Sequence, residues 1–119
     1  MLVIKNVCKY FGKIKAVDGV SLSLKKNETV VMLGENGAGK STLFRLISGY
    51  LEADSGSIKA DETDINSGRV AYLNKIGYVP EISALYGEMT TVEFLLFAAE
   101  LKKIPNETIS PRLQNVIQK

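Results

Sequence analysis

The stretch Gly34-Glu35-Asn36-Gly37-Ala38-Gly39-Lys40-Ser41-Thr42 meets the pattern G-x-x-x-x-G-K-[ST] at Gly34, Gly39, Lys40 and Ser41. The pattern needs backbone N–H groups turned inward around an anion, so glycines must stand where φ is unusual or the chain approaches closely. Its surroundings separate it from chance. Before it, the apolar run at residues 29–33 has the character of a strand covered on both faces, as in the middle of a parallel sheet. After it, Leu43, Leu46, Ile47 and Tyr50 recur at helical spacing, and Gly49 is placed to end that helix. Strand, loop and helix are the context the phosphate-binding motif requires; the alternative is a glycine-rich turn that merely caps a helix. In the motif's chemistry Lys40 is a point charge for the β- and γ-phosphates and the Ser41 hydroxyl can join the shell of Mg²⁺. The helix adds unpaired N–H groups and its positive dipole end. A dinucleotide fingerprint is excluded, because Thr42 stands where its third glycine belongs.

Outward from the loop, residues 2–7 alternate apolar and polar like a half-buried strand, and residues 20–24 do so more strictly. Two alternating strands followed by a buried one imply an antiparallel piece joined to an α/β core. Asp54-Ser55-Gly56 marks a turn before a short strand at residues 57–60, and residues 61–68 are polar and uninformative. Residues 76–79 have the pattern of another short strand, stopped by Pro80. Residues 90–103 carry the clearest helical signal: Thr90 and Glu93 form a capping box, with Met89 and Phe94 at the staple positions. Val92, Leu95, Leu96 and Ala99 line one face, Lys102 and Lys103 suit its C-terminus, and Pro105 prevents continuation. Ser110-Pro111 is expected to open a further helix with a stripe of Leu113, Val116 and Ile117, and no stop signal precedes Lys119.

The 119 residues suit one domain and not two cores. A hydrophobic share of 45% and a charged share of 24% are those of a soluble globular protein. The net charge of +2 gives no reason to expect a nucleic-acid partner. A single cysteine, Cys8, excludes an internal disulfide and fits a reducing, cytoplasmic setting. The absence of histidine removes imidazole catalysis and the commonest metal ligand.

The loop, continued through Leu43 and followed by Ile47-Ser48-Gly49, closely resembles the ATP-binding subunits of ABC transporters. Tyr10-Phe11-Gly12 with residues 16–21, Asp54-Ser55-Gly56-Ser57-Ile58, residues 76–81, Ala84-Leu85-Tyr86 and residues 89–93 agree with that family in order and spacing. The resemblance implies an α/β fold. It would be a partial P-loop NTPase core with an N-terminal antiparallel β subdomain and the start of the α-helical subdomain. Residues 1–119 would be the N-terminal part of a single nucleotide-binding domain, with the β subdomain and loop core to about residue 80. The Q-loop and helical start would occupy residues 81–119, and the C-terminal remainder would be absent.

The resemblance also implies the site. Gly34, Glu35, Asn36, Gly37, Ala38, Gly39, Lys40, Ser41 and Thr42 would hold the phosphates of ATP, Phe11 would stack on the adenine, and Val17 would sit near the sugar. By residue type alone, an aromatic beside a glycine is more often turn or core packing. Lys40 and Glu81 would be the catalytic residues, and Ser41 and Glu81 the Mg ligands. Glu81 departs from the family, most of which carries glutamine there; a carboxylate still ligates Mg²⁺ but adds a charge and loses the amide donor. The wording Gly77-Tyr78-Val79-Pro80-Glu81 resembles the branch serving ABC-2-type exporters.

The implied function is an ATPase subunit that couples ATP hydrolysis to transport, leaning towards export. Its implied partners are a second ATP-binding subunit and a transmembrane permease, at the inner face of the cell membrane. Three parts of that machinery are not found in the sequence: a strand ending in Asp-Glu, a switch histidine and an L-S-G-G-Q segment. Leu46-Ile47-Ser48-Gly49 resembles that last segment only superficially, and residues 94–100 are helical by their spacing. A truncated form is therefore expected, with a non-hydrolysing nucleotide-binding or interaction module as the alternative. An unrelated phosphate-loop enzyme such as a nucleotide kinase is disfavoured by Phe11 and residues 78–81.

Overall fold

In a computed structural model, residues 1–82 and 85–118 are described; Ala84 of the family-like segment and Lys119 lie outside the described residues. The chain divides into two compact units, Met1–Tyr78 and Val79–Lys119.

The first unit is built on a four-stranded antiparallel sheet: β1 (Leu2–Phe11), β2 (Ile14–Leu24), β3 (Ser55–Ala60) and β4 (Thr63–Asp64), in the order β2-β1-β3-β4. The two N-terminal strands are longer than their alternation suggested, because a bulge interrupts the period. Asn6 takes φ 47°, and the register of β1 slips between Ile4 and Val7 against β2 and between Lys5 and Cys8 against β3. The extra residue lets Ile4 and Val7, three apart, both be buried. The Ser21 hydroxyl secures the bulge by accepting from the Asn6 N–H at 2.8 Å.

Helix α1 (Lys40–Ile47) buries Leu43 and Leu46 in one core with Ile4, Val7, Val17, Ile58 and Tyr72. Each such side chain contributes about 1.5–3 kcal/mol on burial. The helix stops where Gly49 was expected to stop it: Gly49 takes φ 73°, and the Tyr50 and Leu51 N–H groups turn back onto the Arg45 carbonyl. Helix α2 (Arg69–Leu73) follows β4.

Two strand expectations are corrected. Residues 29–33 and 76–79 form no strand, and among the described residues no strand pairs with either. A strand exists only through its ladder, and the described strands pair wholly among themselves. The apolar run is instead uncovered, with Val31 74% and Leu33 88% exposed, and only Met32 packs against the core.

In the second unit, α3 (Thr91–Leu101) starts on the expected capping box. Thr90 Oγ1 accepts from the Glu93 N–H at 3.3 Å, and the Glu93 carboxylate accepts from the Thr90 N–H at 2.7 Å. The helix ends earlier than residue 103, because Lys103 turns left-handed at φ 51°. The last helix, α4 (Asn106–Ile117), begins a turn before Ser110-Pro111. Thr108 donates its N–H and its hydroxyl to the Pro105 carbonyl, both at 2.9 Å, which opens the helix upstream. Pro111 therefore lies inside α4, on its exposed side, forgoing one backward hydrogen bond. Tyr86 packs edge-on against Phe97 with ring centroids 5.8 Å apart. No helix among the described residues is long and apolar enough to cross a membrane.

Candidate phosphate-binding site

The loop at residues 34–42 delivers its glycines to the head of α1. Gly39 is the residue before the helix and takes φ 84°, a left-handed conformation that costs a residue with a β-carbon about 1–2 kcal/mol. It also presses on β2: a β-carbon there would overlap the Ala16 carbonyl oxygen and touch Val17 Cγ2 at 3.7 Å. Glycine is thus demanded twice at one position, by conformation and by close approach. At the other end of the loop a β-carbon on Gly34 would meet Ala38 Cβ at 3.3 Å and Lys40 Cδ at 3.8 Å, so the loop encloses its own lysine.

Lys40 fills that enclosure. Its ammonium donates to the carbonyls of Gly34 and Glu35, both at 2.6 Å, which fixes the charge at the helix head. No side chain caps α1 and no acidic residue stands in its first turn. Orphan N–H groups and an uncompensated positive dipole end therefore accompany the ammonium. Ser41 is exposed on the first turn and Thr42 is half-buried. Glu35, Asn36, Gly37 and Ala38 are exposed along the loop, closed by the Ala38 N–H donating to the Glu35 carbonyl at 3.2 Å. A cleft of about 400 Å³ adjoins the loop, lined by Lys15, Val17, Asp18, Met32, Gly39 and Lys40 among others. Beside it Asp18 accepts from Lys15 Nζ and from the Tyr10 hydroxyl, each at 3.1 Å. The Lys15 bond, then the Tyr10 bond, hold its carboxyl below the usual carboxylate range.

Phe11 closes β1 opposite Ile14, with its ring 47% exposed and the Lys9 ammonium 5.8 Å from its centroid. That exposure suits stacking on a flat ligand. Val17 is buried, at 4% exposure, beneath Gly39. Glu81 is exposed and belongs to the second unit, whereas the loop belongs to the first. Leu46 is wholly buried, which removes residues 46–49 as an offered segment; residues 94–100 are helical and Glu100 is exposed, as their spacing indicated.

Sequence reasoning missed what holds the tail of α1. The Tyr72 hydroxyl donates to the Ile47 carbonyl at 2.7 Å, and the Arg69 guanidinium donates to the Gly49 carbonyl. The partners are 25 and 20 residues apart, so no local pattern announces them.

The family model described as "ABC transporter" matches residues 17–119. The linearmycin resistance ATP-binding protein LnrL of Bacillus subtilis is 38% identical over 118 residues, 99% of this chain and 38% of its own length. A sulfate/thiosulfate import ATP-binding protein, CysA of Thermosynechococcus vestitus, is 37% identical over 117 residues, 98% of this chain and 34% of its own length. Among solved structures, the ATP-binding subunit of an ABC transporter superposes with a TM-score of 0.83 at 28% identity, over 98% of this chain and 49% of that one. The dimeric structure of a bacterial ABC transporter cassette superposes at 0.76 and 27% identity, over 99% of this chain and 56% of that one. The chain thus spans about a third of these curated relatives and about half of these solved chains.

Proposed function

The chain belongs to the ABC transporter family, and from that premise we propose that its loop holds the phosphates of Mg-ATP in a subunit that couples ATP binding and hydrolysis to transport. The observation that carries the reading is the Lys40 ammonium, held by two carbonyls at the uncapped head of α1. An incoming phosphate offers that ammonium anionic oxygens in place of neutral carbonyls, so hydrogen bonds with one charged partner become ion-paired ones. The orphan backbone N–H groups at the head of α1 and the helix dipole favour the same charge. Phe11 stacks on the base, and Val17 supports the loop on the sugar side. The Ser41 hydroxyl is exposed on the same turn as Lys40, an oxygen ligand type that suits Mg²⁺. Glu81 is a second hard oxygen ligand on the family resemblance alone. When bound, Mg²⁺ neutralises charge on the β- and γ-phosphate oxygens.

We read residues 1–119 as the N-terminal part of one nucleotide-binding domain. Its partners are then a second ATP-binding subunit, facing it across ATP, and a membrane permease that holds it at the cytoplasmic face. The direction we assign is export, supported by Glu81 and the wording of residues 77–81 and by the resistance-protein relative. A relative named for import matches over a similar stretch, so vesicle transport by the full-length subunit with its permease is the deciding measurement.

A second reading concerns the 119 residues by themselves: a module that binds nucleotide without turnover. It is favoured by the absence of histidine and of a strand ending in Asp-Glu from this sequence. Calorimetry with Mg-ATP, paired with phosphate release, tests both readings. Binding is expected, with turnover at background, and Lys40→Ala is expected to weaken binding by at least about 100-fold, from two charged hydrogen bonds worth roughly 1.5–3 kcal/mol each. Unchanged affinity in that variant sinks the loop assignment; turnover that Lys40→Ala abolishes sinks the second reading.

A further inference from the structure

The head of α1 is fixed by Gly39 against β2, and its tail is fixed by a different device. A helix leaves its last carbonyls without intrahelical partners. In α1 the Phe44 carbonyl accepts from the Ser48 N–H at 2.9 Å, Arg45 from the Tyr50 N–H at 2.8 Å, and Leu46 from the Gly49 N–H at 3.1 Å. The Ile47 carbonyl receives the Tyr72 hydroxyl at 2.7 Å, and the Gly49 carbonyl receives Arg69. Both donors come from α2. The Tyr72 ring is wholly buried in the core that holds Leu43 and Leu46, so its hydroxyl cannot follow a shift of α1 without disturbing that core. Burial pushes the phenol up to about 12, which keeps it a donor at any ordinary pH. The Arg69 guanidinium lies where the helix dipole is negative. Leu73 closes the contact, its Cδ2 standing 2.9 Å from where a β-carbon on Gly49 would be. Just past the end of α2, Lys75 Nζ reaches the Ala60 carbonyl of β3 at 3.5 Å, a long contact.

We propose that Tyr72 and Arg69 are positioning residues for the phosphate site. By holding the tail of α1 they set where Lys40 and Ser41 stand relative to β2. At a rise of about 1.5 Å per residue, an eight-residue helix carries a displacement of its tail to its head over roughly 12 Å, as a short rigid rod. The loop has little slack to absorb such a shift, because Gly39 is already against the Ala16 carbonyl. The proposal rests on the nucleotide reading above.

The test uses Tyr72→Phe, which keeps the ring in the core and removes only the donor, together with Arg69→Ala and Arg69→Lys. ADP affinity with Mg²⁺ is measured by calorimetry below the melting transition of every variant, with amide exchange of the α1 and β1 residues as a second readout. Tyr72→Phe and Arg69→Ala are expected to lower ADP affinity about three- to tenfold, the worth of one net hydrogen bond. Arg69→Lys should recover part of that loss. Exchange should accelerate in α1 and stay unchanged in β1. A merely structural role would lower the melting temperature while leaving the affinity of the folded protein within twofold of the parent; that result overturns the proposal. If the parent chain binds no ADP while α1 exchange still accelerates in the variants, the nucleotide reading has failed and the positioning role falls with it. Parent binding with unaffected variants leaves the nucleotide reading intact and rejects only the positioning role.

Discussion

Gly39 lies so close to the Ala16 carbonyl that a β-carbon added to it would overlap that oxygen, while its φ of 84° is already unfavourable for any other residue. One backbone contact therefore docks the phosphate-binding loop on the second strand of the sheet. Gly39→Ala is expected to cost roughly 1–2 kcal/mol from the left-handed conformation alone, and more from the overlap. Thermal melts should show the loss, and calorimetry should show nucleotide binding reduced beyond detection. Wild-type affinity in this variant would mean that the contact does not fix the loop.

The capping box tests the second unit on its own. Thr90 exchanges hydrogen bonds with Glu93 at the start of α3, and removing an N-cap side chain costs typically about 1 kcal/mol. Thr90→Ala should lower the stability of the Val79–Lys119 unit and speed amide exchange at the N-terminal turn of α3. Exchange in β1 and β2 should not change.

How much of this was legible in the sequence depends on how far apart the interacting groups are. The loop, the stop at Gly49 and the Thr90 box are patterns of a few residues whose donors and acceptors are local, and all were readable. The start of α4 was misplaced because Ser110-Pro111 carries a strong local signal, whereas Pro105 and Thr108 make the hydrogen bonds that open the helix. The runs at residues 29–33 and 76–79 carry strand composition, but a strand is decided by its partner, which composition does not contain. The bulge at Asn6 was hidden for a related reason, since pairing with two neighbours at once creates it. In the site, motif residues were readable and their supports were not. Ala16 acts through its backbone, and Tyr72 reaches a carbonyl 25 residues away.

Four carboxylates predict the acid limit of stability. Asp18 is held below its ordinary value of 3.8 by the Lys15 bond, then by Tyr10; Asp54 by Lys9, then by the Tyr10 N–H; and Asp61 by the N-terminal ammonium. Glu93 is held below 4.5 by the Thr90 N–H and hydroxyl. A carboxyl with a lowered folded-state value contributes stability above its unfolded value and loses it as pH falls through the folded one. The melting temperature should therefore be nearly flat from pH 7 to about 5 and drop below about pH 4. Asp54→Asn should lower the neutral-pH plateau and shrink the acid drop in the first unit. A melting temperature that rises on acidification contradicts the assignment.

The uncovered run at residues 29–33 predicts how the 119-residue chain behaves in solution. Val31 is 74% exposed and Leu33 is 88% exposed, next to Val30 at 52%, in a segment that pairs with no strand among the described residues. An exposed apolar segment with free backbone donors and acceptors is a template for another chain, and a lysine on such an edge is an established obstacle to pairing. Because the Val31 side chain contributes little to the core, Val31→Lys should leave the melting temperature nearly unchanged, within about 0.5 kcal/mol of stability. Light scattering against concentration should show less association in Val31→Lys than in the parent. Val31→Ile, which keeps the edge apolar, is the matched control and should associate as the parent does. Equal association in all three proteins would move the sticky surface elsewhere, with the half-exposed Val92 and Leu96 on α3 as the next positions to change.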